Sequence, residues 1–166
     1  DPNDSKKGPV NAIVPVLKVP SHHGPDVKTV IKGLDIDTMA VAVPTTLMHL
    51  HTVIVKLKRE SSREEVLSIW KETPRVKFVH GKEGIVSTAQ IMEMARDLVR
   101  ERSDLNEIAI WEDGVHVIND HLYYYQAIHQ ESDVVPENID CIRAMFKLTE
   151  DNLASIKKTN EALGIQ

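Results

Sequence analysis

The spacing of apolar residues changes character along the chain, and each change marks an element. Val10-Asn11-Ala12-Ile13-Val14-Pro15-Val16-Leu17-Lys18-Val19 is a nearly continuous apolar run. It predicts a strand near an edge or bulged, because Pro15 has no N–H to give to a ladder. From Pro25 onward Val27, Val30 and Ile31 recur at helical spacing, with Pro25 suited to the first helical position and Gly33 to the stop. Asp35 to Val43 predicts another strand. Thr46 to Lys58 predicts the clearest one, rich in β-branched residues and alternating in character. Its parity puts Leu47, His49, His51, Val53, Val55 and Leu57 on one face and Thr46, Met48, Leu50, Thr52 and Ile54 on the other.

Ser62-Arg63-Glu64-Glu65 is a capping box ahead of Val66, Leu67, Ile69 and Trp70, with Pro74 on the far side. Val76 to His80 predicts a short strand. A second capping box, Ser87-Thr88-Ala89-Gln90, opens a helix carrying Ile91, Met92, Ala95, Leu98 and Val99 on one stripe. Glu107 to Trp111 and Val115 to Asn119 flank Glu112-Asp113-Gly114, which predicts a hairpin, and His121 to Ile128 extends the same sheet. After Pro136 the pattern is helical, through Ile139, Ile142 and Phe146, then a Thr149 cap and the stripe Leu153, Ile156, Leu163. A helical tail with its own apolar stripe, following units that mix strands and helices, suggests docking on another surface.

Composition narrows the setting. With 166 residues and 42% apolar content, the chain can close one substantial core, so one domain or one plus a fragment is expected. No apolar run approaches the roughly 20 residues of a membrane span, and no signal region is visible. The chain lacks an initiator Met and reads as part of a longer one. A net charge of -5 without a basic stripe argues against nucleic acid, since phosphate binding needs clustered Lys and Arg. The single cysteine, Cys141, excludes an internal disulfide framework and fits a reducing, cytoplasmic compartment. Carboxylates at Glu137 and Asp140 give it a setting that does not activate a thiol, so it reads as an inert helix residue.

Chemistry concentrates in the histidines. Four of the eight fall in Ser21-His22-His23-Gly24-Pro25-Asp26 and Pro44-Thr45-Thr46-Leu47-Met48-His49-Leu50-His51. Imidazole serves as acid, base, anion binder or metal ligand near neutral pH. His22 and His23 stand at a predicted helix N-terminus, where free N–H groups and the dipole favour an anion such as phosphate or carboxylate. The plainer alternative is one capping His and one solvated His. His49 and His51 share a strand face, which suits a metal pair, but no carboxylate or thiolate stands nearby at ligand spacing. A half-buried, satisfied His pair is the plainer alternative there.

Three runs together, Pro20-Ser21-His22-His23-Gly24-Pro25-Asp26-Val27, Val43-Pro44-Thr45-Thr46-Leu47-Met48-His49-Leu50-His51 and His129-Gln130-Glu131-Ser132-Asp133-Val134-Val135-Pro136-Glu137-Asn138-Ile139-Asp140, closely resemble the archaeal-type glyceraldehyde-3-phosphate dehydrogenases. The resemblance covers essentially the whole chain and identifies it with the C-terminal, catalytic-domain half of such an enzyme. It implies an α+β fold with a mixed, largely antiparallel sheet and helices on one face. Residues 1–130 then form the catalytic domain, incomplete at its N-terminus. Residues 131–166 form a helical segment returning to a nucleotide-binding Rossmann domain outside the chain. It also implies oxidation of glyceraldehyde 3-phosphate with NAD or NADP and inorganic phosphate, through a cysteine thioester, in a homotetramer that packs through the sheet. His49 matches the family's general base, with His51 as fallback, and His22 and His23 match the residues that hold the substrate phosphate. Gln130 matches a residue contacting the cofactor. No Gly-x-Gly-x-x-Gly occurs and Cys141 does not match the nucleophile, so the nucleophile is expected upstream and the isolated chain is expected to be inert. The alternatives are a related semialdehyde dehydrogenase, or a metal-binding or oligomerisation module built on His49 and His51.

Overall fold

The computed structural model of the protein describes residues 13–45 and 48–165. It divides into two compact units, residues 1–46 and 47–166. In the first, β1 (Val14–Pro15) precedes α1 (His23–Val30), and β2 (Val41–Ala42) returns antiparallel to β1 with Val14 opposite Ala42. Both strands are much shorter than their apolar runs predict, and residues 10–12 of the first run lie outside the described residues. Pro15 limits the ladder, because a residue without N–H cannot donate to it. The pairing continues only as an isolated bond from the Val16 N–H to the Ala40 carbonyl, at 2.9 Å. Helix α1 starts two residues before Pro25 and ends at Val30, and Gly33 supplies the positive φ of 79° in the turn beyond it.

The second unit runs β3 (Met48–Lys56), α2 (Arg63–Lys71), β4 (Val76–Val79), α3 (Thr88–Asp97), β5 (Ile108–Trp111), β6 (His116–Ile118), β7 (His121–His129), α4 (Gln130–Met145) and α5 (Asn152–Leu163). The sheet order is β3-β7-β5-β4, with β6 also paired to β7. Only β4 and β5 are parallel, so the sheet is mixed and mostly antiparallel, and the α+β class expected from the sequence holds.

Both capping boxes form. Ser62 Oγ accepts from the Glu65 N–H at 3.1 Å, and Ser87 Oγ from the Gln90 N–H at 3.5 Å. The third cap moves: Asp151, not Thr149, accepts from the Ala154 N–H at 2.7 Å. Its carboxylate is also better placed to complement the helix dipole than a hydroxyl.

Two further expectations are corrected. The helices lie on both faces of the sheet rather than one. Ala109 and Ile110 are consecutive on β5 and so point oppositely; Ala109 joins Ile91 and Ala95 of α3, with Met48 and Ala127, whereas Ile110 joins Val66 and Leu67 of α2, with Leu122. The central strands are therefore apolar on both sides, as two-sided burial requires. The second correction concerns Glu112-Asp113-Gly114, which makes a 3-10 turn and no hairpin. Arg63 of α2 caps this turn by donating to the Glu112 and Val115 carbonyls at 2.8 and 2.9 Å. The chain then continues along the edge of β7 as β6. The actual tight reversal joins β6 to β7 at Asn119-Asp120, with Ile118 opposite His121 and Asn119 at a φ of 55°.

Pro136 lies inside α4 rather than at its start, with Gln130 as the first helical residue. A buried polar network fixes the α4–α5 hairpin. Arg75, 7% exposed, donates to Glu137 Oε1 at 2.6 Å, to Asp140 Oδ2 at 2.5 Å and to Asn160 Oδ1 at 3.0 Å. Asp140 Oδ1 in turn accepts from Ser155 and Thr159 hydroxyls at 2.6 and 2.7 Å and from Arg143 at 2.9 Å. Glu107, 1% exposed, is matched by a two-pronged Arg100 at 2.5 and 2.6 Å.

Candidate active-site residues

His22 and His23 belong to the first unit. His22 precedes the first residue of α1 and His23 is that residue, both exposed, with ring centroids 3.9 Å apart. Beneath them Ser21 and Thr38 are joined through both backbone and side chains. The Ser21 N–H donates to the Thr38 carbonyl at 2.7 Å, and Ser21 Oγ to Thr38 Oγ1 at 2.9 Å. Thr38 Oγ1 also accepts the Gly24 N–H at 3.0 Å and donates to the Ser21 carbonyl at 3.2 Å. Ser21 Oγ lies 3.1 Å from His23 Nδ1.

The backbone of this helix terminus therefore offers an anion less than its position implies. The Gly24 N–H is taken by Thr38, Pro25 has none, and the Asp26 N–H bonds the His22 carbonyl at 3.1 Å. Gly24 is needed for packing: a Cβ there would stand 3.0 Å from Thr38 Oγ1. Recognition of an anion here falls to the imidazoles.

His49 and His51 belong to the second unit, on β3, which forms one edge of the sheet. Register pairs His49 with Ile128 and His51 with Gln126, so both histidines project from the face that α2 partly covers. Both are exposed, with ring centroids 6.3 Å apart. They differ in engagement. The Gln126 Nε2 amide lies 3.1 Å from His51 Nδ1, an arrangement in which the amide donates and the ring proton sits on Nε2. His49 makes no hydrogen bond with the described residues. Among the described residues, no group of three or more His, Cys, Asp or Glu side chains is placed to hold a metal ion.

Residues 3–114 of the chain match the family model for the glyceraldehyde 3-phosphate dehydrogenase C-terminal domain. The chain belongs to the glyceraldehyde 3-phosphate dehydrogenase family. It is 58% identical over 165 residues to the glyceraldehyde-3-phosphate dehydrogenase of Pyrococcus abyssi, covering 99% of this chain and 49% of that protein. The Thermococcus kodakarensis enzyme is 57% identical over 165 residues and that of Methanococcus maripaludis 58% over 168, with the same coverage. The chain thus spans about half the length of the curated relatives it matches.

Within this dehydrogenase half, Gln130 is exposed at the start of α4, directly after the strand residue that pairs with Met48 beside His49. Gln130 and His49 therefore lie at the same end of the sheet. The structure adds two residues for which the sequence offered no signal. His129 closes β7 and is only 2% exposed, and neither of its ring nitrogens has a hydrogen-bond partner among the described residues. One helical turn on, Asp133 has a buried oxygen, Oδ1, that is likewise unpaired.

Burial pushes the Asp133 carboxyl above the usual carboxylate range, against the pull of a backbone N–H at Val134 and of the nearby His129 and His49. A carboxyl whose folded pKa is raised weakens the fold once it is ionised. That penalty is absent below the ordinary carboxylate pKa, develops as pH rises through the raised one and is fully present at neutrality. Asp133→Asn is therefore expected to raise the unfolding temperature at pH 7, with the gain fading toward pH 3. Thermal melts across that range check it, and a lowered or unchanged midpoint at pH 7 contradicts it.

Proposed function

We propose that the protein containing this chain is a phosphorylating glyceraldehyde-3-phosphate dehydrogenase, using NAD or NADP, and that this chain supplies the base and the phosphate-binding side of its active site. The observation that carries this reading is the state of His49 in a chain so similar to the named dehydrogenases. It is exposed on β3, without a competing hydrogen bond among the described residues, while its neighbour His51 is engaged by Gln126.

In this reading the substrate aldehyde is attacked by a cysteine thiolate contributed from outside the chain, giving a thiohemiacetal. His49 takes the proton from its hydroxyl as the C–H hydride leaves, so a thioester forms without charge building up on oxygen. The nicotinamide cofactor, when bound, supplies the hydride acceptor. Inorganic phosphate then cleaves the thioester to an acyl phosphate and releases the thiolate. Gln130 fits the cofactor side: its exposed carboxamide offers both a donor and an acceptor to the matching amide of nicotinamide. His22 and His23 hold the substrate phosphate through their ring nitrogens. Cys141, exposed on α4, takes no part.

Two surfaces support the assembly expected of such an enzyme. Helix α3 covers only the Met48 end of its sheet face, leaving Leu50, Ile54 and Tyr125 exposed for a second copy of the chain in a homotetramer. Phe146, Met145, Ile142 and Leu153 are exposed on α4 and α5, and Phe146 is 69% accessible. They suit docking of the 131–166 segment on a nucleotide-binding domain. No helix among the described residues is long and apolar enough to cross a membrane, in keeping with a cytoplasmic enzyme.

Replacing both phosphate-binding histidines, His22→Asn with His23→Asn, is expected to raise KM for glyceraldehyde 3-phosphate by roughly 10- to 100-fold with a much smaller change in kcat, because binding lost equally in ground and transition states appears in KM. Steady-state kinetics on the full-length enzyme test it. An unchanged KM rules out a phosphate-binding role for the pair.

A further inference from the structure

We infer that Ser21 and Thr38 position His23 as its Nδ1–H tautomer, so that its outer nitrogen donates to an anion only when the ring is protonated. The inference rests on reading His23 as a ligand of the substrate phosphate, and it adds how that ligand is controlled.

Thr38 Oγ1 receives the Gly24 N–H, and its own hydrogen goes to the Ser21 carbonyl. The hydroxyl of Ser21 sits 2.9 Å from Thr38 Oγ1, whose hydrogen is already placed, so Ser21 must be the donor there. A hydroxyl has one hydrogen. At 3.1 Å, the remaining contact between Ser21 Oγ and His23 Nδ1 is satisfied only if the ring nitrogen donates. Ser21 is 1% exposed, so water does not compete for this bond and the arrangement is held by the fold.

With Nδ1–H committed to Ser21, a neutral His23 presents Nε2 as a lone pair, which repels a phosphate oxygen. Protonation turns the same atom into a charged donor, and a charge-assisted bond to phosphate becomes available. Because the backbone N–H groups of Gly24 and Asp26 are already used, they do not mask the change. The His22 ring lies beside that of His23, with 3.9 Å between centroids, and Asp26 follows in the first turn of α1.

Two measurements on the full-length enzyme test this. Labelling with 15N-histidine and recording the ring nitrogens above the titration of His23 should show the proton on Nδ1 in the wild type. In Ser21→Ala the ring should shift toward the Nε2–H form. Finding Nε2–H in the wild type overturns the inference. KM for glyceraldehyde 3-phosphate should rise as the pH is raised in the wild type, and flatten in Ser21→Ala, whose neutral ring can donate from Nε2. A merely structural Ser21 would raise KM at all pH values alike, and that parallel shift also overturns the inference. Thr38→Val gives the same flattening if the chain of hydroxyls is responsible, and a wild-type pH dependence in a folded Thr38→Val excludes Thr38 from it. If the ring shows Nδ1–H while His23→Gln leaves KM untouched, His23 is not the phosphate ligand. That outcome sinks the functional reading on which the inference rests and leaves the tautomer assignment standing.

Discussion

Replacing His49 by Asn should lower kcat of the full-length enzyme by about 10²- to 10⁴-fold, the usual contribution of a positioned general base, with KM for glyceraldehyde 3-phosphate little changed. The variant keeps a polar side chain at an exposed position of β3, so the fold has no reason to change. His51→Asn should cost far less. Its ring is tied to Gln126, and losing that exposed bond removes one cross-strand contact rather than the proton acceptor. Rates measured for both variants separate the two histidines. If His51→Asn carries the large loss and His49→Asn does not, the base is His51, the residue held by Gln126.

The largest effect on stability is expected from Arg75→Ala. Its guanidinium, 7% exposed, serves Glu137, Asp140 and Asn160 at once. Removal leaves Asp140, only 14% exposed, without its main cationic partner on that oxygen. Breaking a buried ion pair from one side costs about 3–5 kcal/mol, because the surviving charge stays buried. For a chain of this size that is a fall of roughly 10 °C in Tm. The loss should also be pH-dependent. Burial acts to raise the Asp140 carboxyl, but hydrogen bonds from Ser155, Thr159 and Arg75 prevail and hold it below the usual carboxylate range. A depressed carboxylate stabilises the fold above its ordinary pKa and loses that contribution as pH falls through the depressed value. Arg75→Ala and the parent should therefore converge in stability toward low pH and differ most near neutrality. Denaturant unfolding followed at several pH values checks this, and a difference that does not depend on pH would remove Asp140 from the account. Arg75→Lys should fall between, keeping charge but not the fork that reaches several partners.

Most local signals were readable, the Thr149 cap, which falls to Asp151, being the exception. Ser62 and Ser87 cap α2 and α3 because a hydroxyl three residues ahead of a free N–H is a short-range arrangement. The alternation on β3 put His49 and His51 on one face because strand parity needs nothing from the rest of the fold. What failed was non-local. Glu112-Asp113-Gly114 looks like a hairpin turn, but Arg63, some fifty residues earlier, takes the carbonyls that shape the connection. Pro136 looks like a helix start, yet α4 begins at the strand end and carries the proline within it. The long apolar run around Pro15 made only two strand residues, since apolar character does not replace a missing N–H.

The candidate site divided the same way. His22, His23, His49 and Gln130 became candidates through their runs, whereas the groups packed near them carried no such signal. Thr38 reaches Ser21 from seventeen residues away in sequence, and nothing in either residue's neighbours announces the contact. His129 lies just beyond the strand that the sequence predicts and Asp133 ahead of the predicted helix, so nothing in either neighbourhood announces the buried nitrogens of the one or the buried oxygen of the other. Helices on both faces were hidden because Ala109 and Ile110 are both apolar, and two-sided burial leaves no alternation to read.

As the proposed base-bearing, phosphate-binding half of a dehydrogenase, this chain should need a nucleophile from outside it. The most direct test joins it to the nucleotide-binding half of the Pyrococcus abyssi relative and follows NAD(P)H formation from glyceraldehyde 3-phosphate and inorganic phosphate. The fused protein should turn over, the chain alone should not, and His49→Asn in the fusion should abolish the signal. Turnover by the chain alone, or a folded fusion that is inactive while the intact Pyrococcus abyssi enzyme turns over in the same assay, would contradict this.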